Sequence, residues 1–537
     1  MKYKLKTLIL LLFISASGIF AQQRQEIYML VLNEKHNTAK QVANEWIQKE
    51  PSNSVPYFQL GNVYIFEGNL DSAKIIFHKG IAANDESGLN YVGLGKIALM
   101  NNNMAEANTN FDKALSFDDE DIEVLIELGN AFTLAPKELG QKGIDFLKKA
   151  EKLDKKKKNS VRIYLALADL NKAMFNTSEA VAYYQRVMDL DPKLAKPYLE
   201  RGKIYENVNK SEAENWYKKA IEVNPQNGVA YKSLSDLYYE QKKYDLAVEN
   251  YKKYMEITEP TNYKKTRLAS IYYQNKDYQS SMNILQEVLA ADPKNEVSLK
   301  QLSYDYYQLD DSVNALKAFE NYFSVVGENK ATSGDYEKYA SLLFKFGQDS
   351  LAAFNFEKAY NLDTSKVDLL TNIAAIHLKA KRWKDVSNII QTKIAKDPKG
   401  GSAQDYLQLG LAYYFDSLYT QAIPAFQKFT ELKPNLIQGW KWLATVNVAL
   451  DPESDSGLAK PYYEKVAELA LADTAKYKKD LVEAYSYLGY YYFLKNDNAT
   501  SKDLWLKVKE LDPTNPQAEQ VLQEFNNPKK RGTNTKK

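Results

Sequence analysis

Between Ser54 and Pro513 the chain alternates apolar stripes with short polar breaks in a steady rhythm. Apolar side chains fall at i, i+3, i+4 and i+7, which gathers them on one face of an α-helix. Two such stripes make one unit. A small residue marks the first stripe of each: Gly61, Gly95, Gly129, Ala168, Gly202, Ser235, Ala269, Ser303, Ala340, Ala374, Gly410, Ala444 and Gly489. Most intervals are 33 to 37 residues, with longer steps of 39 before Ala168 and 45 before Gly489. In the second stripe a small residue is followed four places later by a bulky one, as in Ala73 and Phe77, Ala107 and Phe111, Ala247 and Tyr251, Ala315 and Phe319, or Ala422 and Phe426. Small residues let two helices approach closely, and the bulky one fills the gap. Pro192, Pro225, Pro293, Pro398, Pro434 and Pro513 close many units, because proline cannot continue a helix interior.

A helix pair of this kind cannot bury its stripe alone, whereas a stack of neighbours can. The pattern resembles the tetratricopeptide repeat over nearly the whole chain after its first segment. That resemblance implies an all-α fold: a right-handed superhelical solenoid of about 13 helix pairs, with a degenerate N-terminal unit and a C-terminal cap helix. The expected layout is a degenerate repeat at 22–53, a first half of the array at 54–323, a hinge at 324–332 and a second half at 333–513. A cap helix follows at 514–526, carrying Ala518, Val521, Leu522 and Phe525, and then a basic tail at 527–537. The charged loop from Asp154 to Lys158, the stretch from Ser324 to Gly334 and the stretch from Leu450 to Leu458 depart from the rhythm and predict bends.

Forty tyrosines are unusual, and the repeat absorbs most of them. Tyr64, Tyr205, Tyr238, Tyr272, Tyr306, Tyr413 and Tyr492 lie three residues after the small residue, where the repeat places a core aromatic. The next residue is also aromatic in six later units: Tyr239, Tyr273, Tyr307, Phe344, Tyr414 and Phe493. One step along a helix turns about 100°, so this residue leaves the core stripe. In the tetratricopeptide family it lines the inner, concave wall of the superhelix. It can equally pack against the first helix of the adjacent unit. These six, with Tyr304 and Tyr490, are the candidate partner-binding residues.

The first segment reads as an address. Lys2, Lys4 and Lys6 precede the apolar run Leu8 to Ile14, and small residues lead to Ala21. This is a secretory signal at 1–21 with cleavage expected after Ala21. The run is short of the roughly 20 residues a membrane-spanning helix needs, and no later segment is long and apolar enough to span.

Composition narrows the chemistry. Of 537 residues, 71 are basic and 69 acidic, for a net charge of +2, which argues against nucleic-acid binding driven by counterion release. Cysteine is absent, which excludes disulfides, thiolate metal sites, a cysteine nucleophile and a lipid-modified cysteine. Only His36, His78 and His377 could supply imidazole, and they are far apart. No motif for a catalytic serine, a zinc-binding helix or a phosphate loop occurs. Asp451, Glu453 and Asp455 before Gly457 faintly resemble a calcium loop, but the glycine is one place late and the closing glutamate is missing. The family's carboxylate clamp needs Lys-x-x-x-Asn and Lys-x-x-x-Arg. The candidates here read Lys232-x-x-x-Asp236 and Lys300-x-x-x-Tyr304, so the clamp is incomplete.

The expectation is therefore a non-enzymatic scaffold of the bacterial cell envelope, exported to the periplasm or the outer membrane. It would bind another envelope protein or complex along the concave face, without catalytic residues, metal or cofactor. A glycan- or nutrient-binding protein stacking sugar rings on Tyr239, Tyr273 and Tyr307 is the alternative.

Overall fold

A computed structural model describes residues 22–327 and 330–526. The expected signal segment 1–21, the basic tail 527–537 and residues 328 and 329 of the expected hinge lie outside the described residues. Among the described residues every regular element is a helix. The fold is an α-solenoid, and all thirteen small-residue positions fall within helices.

Two compact units divide the chain, Met1–Leu309 and Asp310–Lys537. The first opens with α1 (22–32) and α2 (His36–Lys49) and continues with seven helix pairs, from Val55–Phe66 with Leu70–Ala83 to Asn262–Gln274 with Tyr278–Ala291. It ends on Glu296–Gln308. The second begins with Ser312–Val325, continues with five pairs starting at Ser333–Lys345 and finishes on Pro516–Asn526.

The close approach expected within each pair is visible atom by atom. A Cβ on Gly61 would lie 2.2 Å from the Phe77 ring, one on Gly95 2.2 Å from Phe111 and one on Gly410 2.6 Å from Phe426. Phe77, Tyr184, Tyr217, Tyr251 and Phe319 are completely buried. Where serine replaces glycine its hydroxyl is satisfied, as with Ser235, which donates to the Ala247 carbonyl at 2.7 Å.

The core tyrosines need correction. Tyr238 and Tyr413 are buried, but Tyr64, Tyr205, Tyr272, Tyr306 and Tyr492 are only half-buried. The side chains that close the core stand one place earlier: Val63, Leu170, Leu237, Ile271, Leu342 and Val446. A first helix is covered on two sides. Val63 packs with Ala39, Ala43 and Trp46 of the preceding pair, while Gly61 meets its own second helix. The tyrosine lies between those sides, with its ring against the core and its hydroxyl at the rim.

Turns within nine of the twelve pairs share one device. The chain enters the left-handed region at Gly68, Asn102, Phe175, Lys242, Lys276, Gly347, Lys381, Ser417 and Asn496, with φ between 56° and 76°. In several pairs the next residue caps the second helix. Asn69, Asn103 and Asp277 accept the backbone N–H three places on, at 3.0, 3.2 and 3.1 Å.

Candidate partner-binding surface

The aromatic series lies toward the C-terminal ends of the first helices, where Tyr239, Tyr273 and Tyr414 each meet the start of their own second helix. Tyr239 stands edge-on to Tyr244 at 5.6 Å, and Tyr273 edge-on to Tyr278 at 5.4 Å. Tyr414 and Tyr419 repeat the arrangement at 5.6 Å. A residue from the next first helix reaches several of the rings. Arg267 lies 4.4 Å over Tyr239, Gln308 donates to the Tyr273 hydroxyl at 3.2 Å and Lys379 lies 5.9 Å over Phe344. Phe493 meets Phe525 of the final helix edge-on at 5.9 Å. The rings are therefore packed on one side and open on the other. Phe344 remains 40% exposed and Tyr490 43%, while Tyr239, Tyr273, Tyr304, Tyr307, Tyr414 and Phe493 are half-buried.

Around Tyr414 the second unit gathers residues that the periodic pattern did not single out. Trp383 stacks on Phe415 at 4.8 Å, and Trp442 approaches Tyr414 at 5.3 Å and Phe415 at 6.3 Å. Phe415 is 49% exposed. It directly follows the series residue and belongs to no repeat position, so spacing carried no signal for it.

In the first unit α1 has two faces. Ile27 and Val31 pack with Ala39, Ala43 and Trp46 of α2 and with Leu60 and Val63. The other face touches the first helices of distant pairs. Arg24 pairs with Glu123 at 3.1 Å, and Glu123 is also held by Arg162 at 2.5 Å. Desolvation alone would raise the Glu123 carboxyl, yet the two guanidinium groups hold it below its ordinary range. Tyr28 lies beside Lys196 and Asp169, where burial pushes its hydroxyl above the ordinary range despite the lysine. Gly228 N–H donates to Asn33 Oδ1 at 3.0 Å. Glu34 pairs with buried Lys264 at 2.9 Å and accepts the Tyr254 hydroxyl. Beyond it, the Glu259 carboxylate accepts the N–H groups of Asn37 at 3.2 Å and Thr38 at 3.0 Å. That places an anion at the N-terminus of α2, where exposed N–H groups and the helix dipole favour it.

These contacts define a curved wall. Glu123, Arg162, Lys196, Gly228 and Lys264 belong to Ile122–Ala131, Ser160–Ala173, Ala195–Tyr205, Gly228–Glu240 and Asn262–Gln274, five successive first helices. Side by side at 8–10 Å, five helices span roughly 35 Å of a flat layer, whereas α1 is about 16 Å long at 1.5 Å per residue. The segment from Arg24 to Glu34 meets four of these helices, and Arg162 of the fifth shares Glu123 with Arg24; so short a segment can do this only if the layer curves around it with the first helices inside. Between α1 and the wall lies a cavity of about 720 Å³, lined by residues that include Arg24, Tyr28, Glu127, Arg162, Asp169 and Lys196.

A family model described as the tetratricopeptide repeat matches residues 56–86, 161–194, 195–227, 230–260, 265–295 and 405–436. The C-terminal part of a TPR repeat-containing protein from Cytophaga hutchinsonii is 33% identical over 48% of this chain and 99% of its own, with a TM-score of 0.35. The chain belongs to the tetratricopeptide-repeat family. A tetratricopeptide repeat protein from Parabacteroides merdae is 18% identical over 48% of this chain and 98% of its own, with a TM-score of 0.30. YrrB, described as a TPR protein with an unusual peptide-binding site, is 14% identical over 37% and 97%, with a TM-score of 0.30. No curated protein matches the chain in sequence. Tetratricopeptide-repeat proteins generally act as protein-binding scaffolds, and the fold is typically non-enzymatic.

The remaining polar motifs of this tetratricopeptide protein are used internally. Lys232 pairs with Asp236 at 3.4 Å, and Arg267 reaches the same carboxylate at 3.2 Å. Asp451 is buried rather than solvated, and its carboxylate accepts the backbone N–H groups of Ser456, Gly457 and Leu458 at 3.1, 2.7 and 3.2 Å. Asp154 does the same for Lys158 and Asn159 at 3.1 and 2.8 Å. Two of the three stretches that break the rhythm are thus folded around an inward-facing aspartate. No cluster of three or more metal-ligating side chains occurs among the described residues, and no described helix is long and apolar enough to cross a membrane.

Proposed function

We propose that the chain is an exported scaffold of the bacterial cell envelope that holds a partner polypeptide against the first-helix faces of its repeats and performs no chemistry. The observation that carries this reading is the half-open aromatic surface of the second unit, formed by Trp383, Tyr414, Phe415 and Trp442. Exposed aromatic clusters of this kind are favoured as binding anchors because they bury much area at little conformational cost. The half-buried series Tyr239, Tyr273 and Tyr307 extends the same register into the first unit. Export is supported by the basic start, the short apolar run and Ala21.

Crosslinking and capture from the native envelope test the reading. Phe415→Ala, and separately Tyr239→Ala with Tyr273→Ala and Tyr307→Ala, should retain helicity and lose partner capture by at least tenfold, the scale of aromatic anchors. Capture unchanged in both variants would refute partner binding through these rings. Binding of a glycan panel that vanishes in the triple variant would instead favour a sugar ligand. The mature N-terminus should be Gln22 by mass spectrometry, and an intact Met1 in the envelope fraction overturns export with cleavage.

A further inference from the structure

Helix α1 occupies the surface that the repeats curve to form. The inward groups of α1 and of the turn that ends it are a cation at Arg24, a phenol one turn on at Tyr28, an amide at Asn33 and a carboxylate at Glu34, the last held at a φ of 51°. Three of them meet a complementary group on a different first helix or its partner: Arg24 meets Glu123, Asn33 the Gly228 N–H, and Glu34 Lys264 with Tyr254, while the Tyr28 hydroxyl is buried beside Lys196 and Asp169 without a hydrogen-bond partner of its own among the described residues. Lys264 is itself buried; its ammonium pairs with Glu34, donates to the Glu259 carbonyl at 2.9 Å and lies over the Tyr254 ring. Loss of Glu34 leaves that ammonium in want of a carboxylate. Packing inside the opening pair needs only the Ile27 and Val31 face of α1. Arg24, Tyr28, Asn33 and Glu34 face the far wall instead.

We propose that residues 22–34 are a built-in ligand of the first unit: an intramolecular helix, with the turn that ends it, that keeps the concave face occupied until a partner segment of the same chemistry displaces it. That partner presents an arginine, a tyrosine one turn later and a carboxylate about six residues beyond. The inference rests on the reading of the first-helix face as a partner surface and deepens it. The two units then differ in kind, since the first carries its own occupant and the second offers the open aromatic surface described above.

The probe is a fluorescent peptide of residues 22–35, titrated against the full chain and against a full chain carrying Arg24→Ser, Tyr28→Ala and Glu34→Gln. These changes weaken the built-in helix and leave the wall intact. The peptide should bind the variant at least tenfold more tightly than the unaltered chain, and adding Lys264→Gln to the variant should cancel the gain. Equal affinity for both proteins, or binding to neither, overturns the proposal. A second measurement needs no weakened helix. A benzophenone photocrosslinker at position 25, which lines the cavities with Asp191, Leu194 and Lys196, should crosslink within the chain to 191–203. Crosslinks confined to other segments refute occupancy of the face. Peptide binding reads occupancy alone and the aromatic variants read capture, so the two ideas can fail separately.

Discussion

Asp305 stands two residues after Ser303, where the other units place Leu237, Ile271 or Leu342. Its side chain is fully buried, accepts the Ser281 hydroxyl at 2.7 Å and lies 3.4 Å from Gln301 Nε2. Burial pushes its carboxyl up to about 7, against the pull of those two hydrogen bonds. The sign follows from the two states. Below an ordinary carboxyl pKa of about 3.8 both are protonated. As pH rises the unfolded chain ionises first, so native stability falls between about pH 4 and pH 7 and then levels off. A shift of about three units is worth about 4 kcal/mol above pH 7, and about 2.5 kcal/mol of that is lost between pH 5 and pH 8. Asp305→Asn keeps an acceptor for Ser281 and removes the titration. Urea unfolding and hydrogen exchange of 281–308, run on both proteins at pH 5 and pH 8, isolate this group from the other carboxylates by difference. The variant should gain about 2.5 kcal/mol on the wild type over that interval, with the exchange effect confined to the adjoining helices because solenoid units touch only neighbours. Identical pH dependence in the two proteins would refute the assignment.

Two further outcomes concern the turns and the close contacts. Lys242 and Lys276 hold φ values of 59° and 62°, so Lys242→Gly with Lys276→Gly should stabilise the chain by about 1 to 2 kcal/mol in urea melts, glycine being the residue without a left-handed penalty. No gain would mean that the lysine side chains supply compensating contacts. Gly410→Ala should destabilise by about 1 to 3 kcal/mol, because its new Cβ would stand 2.6 Å from the Phe426 ring. Phe426→Leu in the same chain should recover part of that loss, and additive losses would show that the two sites do not meet.

The legible part of this fold is the part whose contacts are local. Gly61 meets Phe77 across one short turn, so a small residue and a bulky one 16 places apart record the contact directly. Depth is harder to read than direction. A tyrosine three places after the small residue points toward the core, but spacing does not say whether its ring ends inside or at the rim, and most end at the rim. The left-handed turn is hard to read for a different reason: glycine announces it at Gly68 and Gly347 and asparagine at Asn102 and Asn496, but the lysines and Phe175 carry no mark of positive φ.

The contacts of α1 were beyond any such pattern, because they depend on a sum. Glu34 meets Tyr254 across 220 residues of sequence, and what brings them together is the small rotation added by each intervening pair. No single repeat encodes that closure, yet every repeat between Val55 and Ile257 contributes to it. The same dependence makes α1 a gauge of curvature. A change such as Gly202→Ala, whose Cβ would stand 2.3 Å from the Tyr217 ring, must push two helices apart in the middle of the arc. The Arg24 contact precedes that point along the wall and the Glu34 contact follows it, so the short segment that joins them is pulled from both ends and cannot keep both unchanged. Hydrogen exchange at Gly228, Asn37 and Thr38, whose N–H groups are held by Asn33 and Glu259, should therefore rise in that variant although none of the three touches residue 202. Unchanged protection there would mean that the wall bends freely and that its curvature is imposed by α1 rather than built by the repeats.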